Sequence, residues 1–65
     1  MKNDKLIALR QAAGLTQQEL ADAASINIRL YQRYEAGDVP LSRAAAETVL
    51  AIAKALGVSV EDLIG

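Results

Sequence analysis

The chain has 65 residues, with seven basic and eight acidic side chains, a formal charge of −1, and neither Cys nor His. That length is read as one domain over residues 1–65, near the lower limit for folding without a disulfide or a metal. With no Cys and no His, disulfide frameworks, the usual zinc sites and His-based catalysis are excluded, and no metal or cofactor is expected.

The longest apolar run, residues 49–53, falls far short of the roughly 20 residues a membrane span needs. No charged-then-apolar leader opens the sequence, so a soluble cytoplasmic protein is expected. The core has to be aliphatic, because Leu and Ala dominate and the only aromatics are Tyr31 and Tyr34. Ala is the best helix former and lets helices approach closely, which favours a compact all-helical bundle.

Five short helices are predicted in chain order. Leu6, Leu9 and Arg10 mark the inward side of the first, which ends near Gly14. Thr16, Gln17, Gln18 and Glu19 form a capping box that opens the second, and Leu20, Ala21 and Ala24 supply its inner face. Residues 25–27 make a tight break. Asn27 caps a third helix that runs to about Ala36 and is closed by Gly37. Residues 38–41 read as a loop, with Pro40 disfavouring helix at Val39. Ser42 is expected to cap the fourth and longest helix, in which Ala45, Val49, Ile52, Ala53 and Leu56 recur at helical spacing up to Gly57. Ser59, Val60, Glu61 and Asp62 carry the cap signature of a short last helix containing Leu63 and Ile64. No strand alternation, internal repeat or low-complexity tract is present.

Charge is unevenly spread. Residues 1–34 carry five bases against three acids, net +2, and residues 35–65 carry two bases against five acids, net −3. One end of the molecule suits phosphate and the other repels it.

The break between the second and third helices is so short that the two must cross steeply. This is a helix-turn-helix, whose second helix can enter a DNA major groove. Counting Gln17 as the first position, Leu20 is fourth, Ala21 fifth, Ile26 tenth, Tyr31 fifteenth and Tyr34 eighteenth. Each is apolar or amphipathic where a core contact is needed, and Ala21 suits the close crossing. Tyr31 and Tyr34 are therefore assigned to the core rather than to an aromatic platform for bases.

Leu9 and Arg10, the run over residues 14–21, residues 31–37 with Glu35 and Gly37, and the ending over residues 52–59 together resemble the Cro/C1-type repressor family, also called the XRE family. The resemblance covers about residues 6–64. It implies a five-helix bundle of the phage-repressor type that binds double-stranded operator DNA. It also implies that Gln17 holds a phosphate, that Asn27, Ile28, Arg29 and Arg33 face the major groove with Gln32 close by, and that Arg10 and Glu35 form an internal salt bridge. Thr16, Gln18 and Arg43 join Gln17 as expected phosphate contacts.

The chemistry of these side chains agrees. Arg29 lies in the first turn of the third helix, and its planar fork can take guanine O6 and N7 together, worth about 1–3 kcal/mol of discrimination. Arg33 follows one turn later on the same face. Ile28 can read a thymine methyl, and the amides of Gln17 and Gln18 are neutral donors for phosphate.

Four departures from the family pattern stand out. Ser25 occupies the ninth motif position, where Gly is common, and a left-handed residue there costs Ser roughly 1–2 kcal/mol. Ile28 replaces a polar base reader. The loop over residues 38–41 lacks the bases often found there. The stretch from residue 37 to residue 52 is several residues longer than in many members, so the fourth helix is expected to gain about a turn.

Leu30 sits where the family places a small polar residue, and local repacking is expected in preference to an exposed contact. Glu19, Glu61 and Asp62 are read as cap and dipole residues and Lys2, Lys5 and Lys54 as solvated charges. Val58, Val60, Leu63 and Ile64 complete the core and offer the remainder to a two-fold homodimer. The expected function is transcriptional repression, with the helix over residues 28–36 inserted into a palindromic operator. The alternative is an antitoxin-like module whose business is a protein partner. No nucleophile–base set or phosphate-cradling loop points to an enzyme.

Overall fold

Asn3 starts the first helix by accepting the Leu6 N–H at 3.0 Å. In the computed structural model, which describes residues 2–65, this α1 spans Asp4–Ala12. Thr16 and Glu19 exchange hydrogen bonds in a complete capping box at the head of α2 (Gln17–Ala23). Asn27 caps α3 (Ile28–Ala36), α4 covers Ala46–Leu56, and Ser59 with Asp62 makes a second capping box at α5 (Val60–Ile64). Among the described residues there are five α-helices and no strand. Gly14, Gly37 and Gly57 adopt left-handed φ where the sequence placed helix ends.

α2 packs against both α3 and α4, α1 against α3, and α5 against α4. Leu6, Leu20, Tyr31 and Ile52 are wholly buried at the centre, with Ala21, Ala24, Val49, Ala53, Leu56 and Leu63 around them. Ala21 and Ala24 bring no bulk to the crossings of α2, so its neighbours come close. Tyr34 is buried beside Tyr31, as their motif positions require.

Ser25 holds φ at +57°, the left-handed turn that redirects the chain from α2 into α3. The N–H groups of Ser25 and Ile26 bond back to the carbonyls of Asp22 and Ala21 at 3.1 and 3.0 Å. The steep crossing is thereby fixed over three residues, at the cost of strain that only Gly escapes.

The start of α4 differs from the sequence expectation. Ser42 caps nothing; it lies inside a short 3-10 turn, Leu41–Arg43, and α4 begins at Ala46 behind Ala45, which forms no side-chain cap bond. The extra residues of this stretch therefore do not lengthen α4. The reason is Leu41, which is buried in the core and anchors the strap between α3 and α4. A helix starting at Ser42 would have to give up that anchor. Leu30 is also corrected: it is 36% exposed and has not repacked inward, since it sits about a quarter turn from the stripe of Tyr31, Tyr34 and Glu35.

Candidate nucleic-acid interface

α3 presents two faces of opposite character. Tyr31, Tyr34 and Glu35 point inward, while Arg29, Gln32, Arg33 and Ala36 are exposed on the other side. Arg29 and Arg33 stand four residues apart and so share one face of the helix. Among the described residues neither meets a carboxylate, since the ion pair found there joins Arg10 to Glu35. Both guanidinium forks are free for an outside acceptor.

The inward face carries a buried carboxylate. Glu35 is only 4% exposed, yet it is charged and saturated with donors. Arg10 Nε donates to Glu35 Oε2 at 2.6 Å and its Nη2 reaches Oε1 at 3.5 Å. Gln17 Nε2 donates to Oε1 at 2.9 Å, and the Tyr31 hydroxyl donates to Oε2. Arg10 also donates through Nη1 to the Leu15 carbonyl at 2.9 Å. Burial pushes the Glu35 carboxyl up, but the bonds from Arg10, Tyr31 and Gln17 outweigh it and hold the group below the usual carboxylate range. The same bond to Glu35 raises the Arg10 guanidinium further, so it stays charged. Tyr31 is pushed well above the ordinary phenol range, first by burial and then by the carboxylate it faces.

This cluster does mechanical work. It ties α1 through Arg10, the head of α2 through Gln17, and two turns of α3 through Tyr31 and Glu35. α3 is thus clamped to the rest of the bundle by charge and hydrogen bonds as well as by packing. No buried side-chain polar atom among the described residues lacks a partner.

The side chains expected at phosphate turn out to have internal duties too. Gln17 donates to Glu35 and accepts from Gln32 Nε2 at 3.3 Å, which leaves its second amide hydrogen for an outside acceptor. Thr16 Oγ1 accepts the Glu19 N–H at 3.0 Å and keeps its hydroxyl hydrogen to donate. Gln18 Nε2 is engaged by Asp22 at 2.8 Å. Arg43 is exposed at the end of the 3-10 turn. Asn27 accepts the Arg29 N–H at 2.7 Å, so part of its oxygen's capacity serves the cap while its NH2 group stays open to a base. Ile28 is half-buried against the core and offers only part of its surface to a thymine methyl.

The Arg10–Glu35 pair stands as the sequence places it. The involvement of Tyr31, Gln17 and Gln32 is new, and one signal was available: Tyr31 and Glu35 are four residues apart on one helix face. No group of Asp and Glu among the described residues is close enough to hold a metal ion, and no described helix is long and apolar enough to cross a membrane.

A sequence model of the helix-turn-helix family matches residues 6–63. With the crossing of α2 and α3 and the free arginine face now described, the class is a DNA-binding transcription regulator. The chain belongs to the Cro/C1-type, or XRE, helix-turn-helix family. No curated protein matches it.

Proposed function

We propose that the protein is a sequence-specific repressor that binds a palindromic operator as a homodimer, with α3 in the major groove. The observation that carries this function is the pair of unpartnered guanidinium groups, Arg29 and Arg33, on the outward face of a helix clamped from behind. Arg29 reads a guanine bidentately, Arg33 takes a base or a phosphate one turn on, and Asn27 donates to a base acceptor. Thr16, Gln17 and Arg43 hold backbone phosphates and set the depth of α3 in the groove. Repression follows from occupancy, because a bound dimer covers the promoter.

The second copy docks on the face formed by α4 and α5. Leu50 is 58% and Ile64 42% exposed, and they border an apolar groove of about 330 Å³ that Ala46, Val49 and Val60 help to line. Leu63, named in the sequence as an interface candidate, is buried in the core and leaves Leu50 to take its place. The size of the molecule sets how far apart two such copies stand. The Cα atoms extend over 23 × 23 × 21 Å. Facing helix axes pack about 8–10 Å apart and Cα atoms lie about 2.3 Å outside an axis, so two copies joined on this face have centres about 27 Å apart. Operator half-sites one helical turn apart are separated by about 34–36 Å.

Hydroxyl-radical footprinting on operator DNA tests the reading. Two protected half-sites one turn apart on the same side of the duplex support it; a single asymmetric patch removes the dimer. The acidic second half and the apolar α4–α5 face also favour an antitoxin-like protein partner. Partner binding that survives Arg29→Ala and Arg33→Ala, in a protein with no affinity for DNA, selects that alternative.

A further inference from the structure

The N-terminal segment is tied to α3 through the main chain. The Asn3 N–H donates to the Glu35 carbonyl at 2.8 Å, while the Asn3 side chain caps α1. Asn3 is therefore held at both its backbone and its side chain, and Lys2 is kept beside the C-terminal half of the recognition helix. Lys2 lines a cleft of about 220 Å³ whose other walls are Ile7, Gln17, Gln32, Glu35 and Ala36.

What this cleft offers a ligand is a set of donors. Its carboxylate is not available, because both oxygens of Glu35 already accept bonds from Arg10, Gln17 and Tyr31 and the charge is balanced by Arg10. Gln32 gives one amide hydrogen to Gln17 Oε1 and Gln17 gives one to Glu35 Oε1, which leaves each with a second. The Lys2 ammonium has three donors and meets no carboxylate within ion-pair distance among the described residues. A ligand that suits this ammonium and these amide donors carries negative charge and accepts hydrogen bonds.

We infer that Lys2, Gln17 and Gln32 form a binding cleft for a backbone phosphate of DNA, an assignment that rests on the operator binding proposed above. Gln32 is then a phosphate-positioning residue, not a base reader. The cleft lies at the C-terminal half of α3, with the N-terminus of α2 on one side, so it extends the backbone contact from Thr16 and Gln17 along the recognition helix. Lys2 supplies a point charge without sequence preference, and the two amides supply direction. The alternative for Lys2 is a contribution to folding alone, through attraction to the carbonyl end of α3. The two differ in what they do to salt dependence.

The test uses fluorescence anisotropy of the wild type, Lys2→Gln and Lys2→Arg on a selected operator and on an unrelated duplex, across a salt series, with thermal melts of each protein. Lys2→Gln is expected to weaken both duplexes by the same factor, up to about eightfold at 0.1 M salt, and to flatten the log–log salt slope by about 0.9. Lys2→Arg restores the slope, and the melting temperatures stay together. An unchanged slope and affinity in Lys2→Gln, with the wild type binding normally, overturns the cleft alone. A lowered melting temperature with no change of slope also overturns it, in favour of the folding role. A wild type that binds neither duplex overturns operator binding itself, and the cleft with it.

Discussion

Removing one partner of the Arg10–Glu35 pair leaves a charge stranded in the interior, a change that typically costs about 3–5 kcal/mol. Arg10→Ala is therefore expected to lower the stability of so small a protein to the point where much of it unfolds near 37 °C, as read by circular dichroism. The pH dependence has two limbs. Glu35 is held below its ordinary value near 4.5, so its contribution is fully present above that pH and is lost as pH falls through the lowered folded value. Tyr31 is held above its ordinary value of 10.0, so its contribution is fully present below that pH and is lost as pH rises towards the folded value. The melting temperature should form a plateau between these limits, and Glu35→Gln should flatten the acid limb. Ser25→Gly relieves the left-handed strain and is expected to raise the melting temperature by a few degrees, the added chain entropy of Gly offsetting part of the gain. Arg10 and Glu35 were legible from their family positions. Gln17 and Gln32 lie 15 residues apart in sequence, and no spacing rule shows that their amides meet.

Helix ends were the most legible elements, because caps are local chemistry. Thr16 with Glu19, Asn27 and Ser59 with Asp62 all cap the helices that the sequence assigned to them. Thr16→Ala is expected to cost about 1 kcal/mol, seen as a shift of the denaturation midpoint without a change in slope. Gly37 takes φ +80° at the end of α3, so Gly37→Ala should cost about as much, and it should loosen the strap that follows. The strap is where local signals misled. Ser42 has the chemistry of a cap, but burial of Leu41 one residue earlier decides the path of the chain, and burial is a property of the whole core. The apolar Leu41 after Pro40 was the available clue. Leu30 failed for a related reason: its class suggests the interior, while its angle around α3 leaves it outside.

For the whole molecule, the uneven charge becomes a division of labour. The arginine face of α3, the head of α2 and Lys2 belong to the basic half, and the α4–α5 face to the acidic half. The proposed DNA contact and the proposed second copy thus fall on different surfaces. Leu50→Glu, at an exposed position, should leave the fold intact while making the protein monomeric by sedimentation. The same variant should bind a palindromic operator without cooperativity and retain affinity for a half-site. The most direct test of operator recognition is selection of bound duplexes from a random pool with the wild type and Arg29→Ala, each at two salt concentrations. The expected result is a palindromic consensus containing a guanine in each half-site, relaxed at that position by Arg29→Ala by about 1–3 kcal/mol, with affinity falling steeply as salt rises. No enrichment at low salt, or a consensus that Arg29→Ala leaves untouched, contradicts recognition through α3.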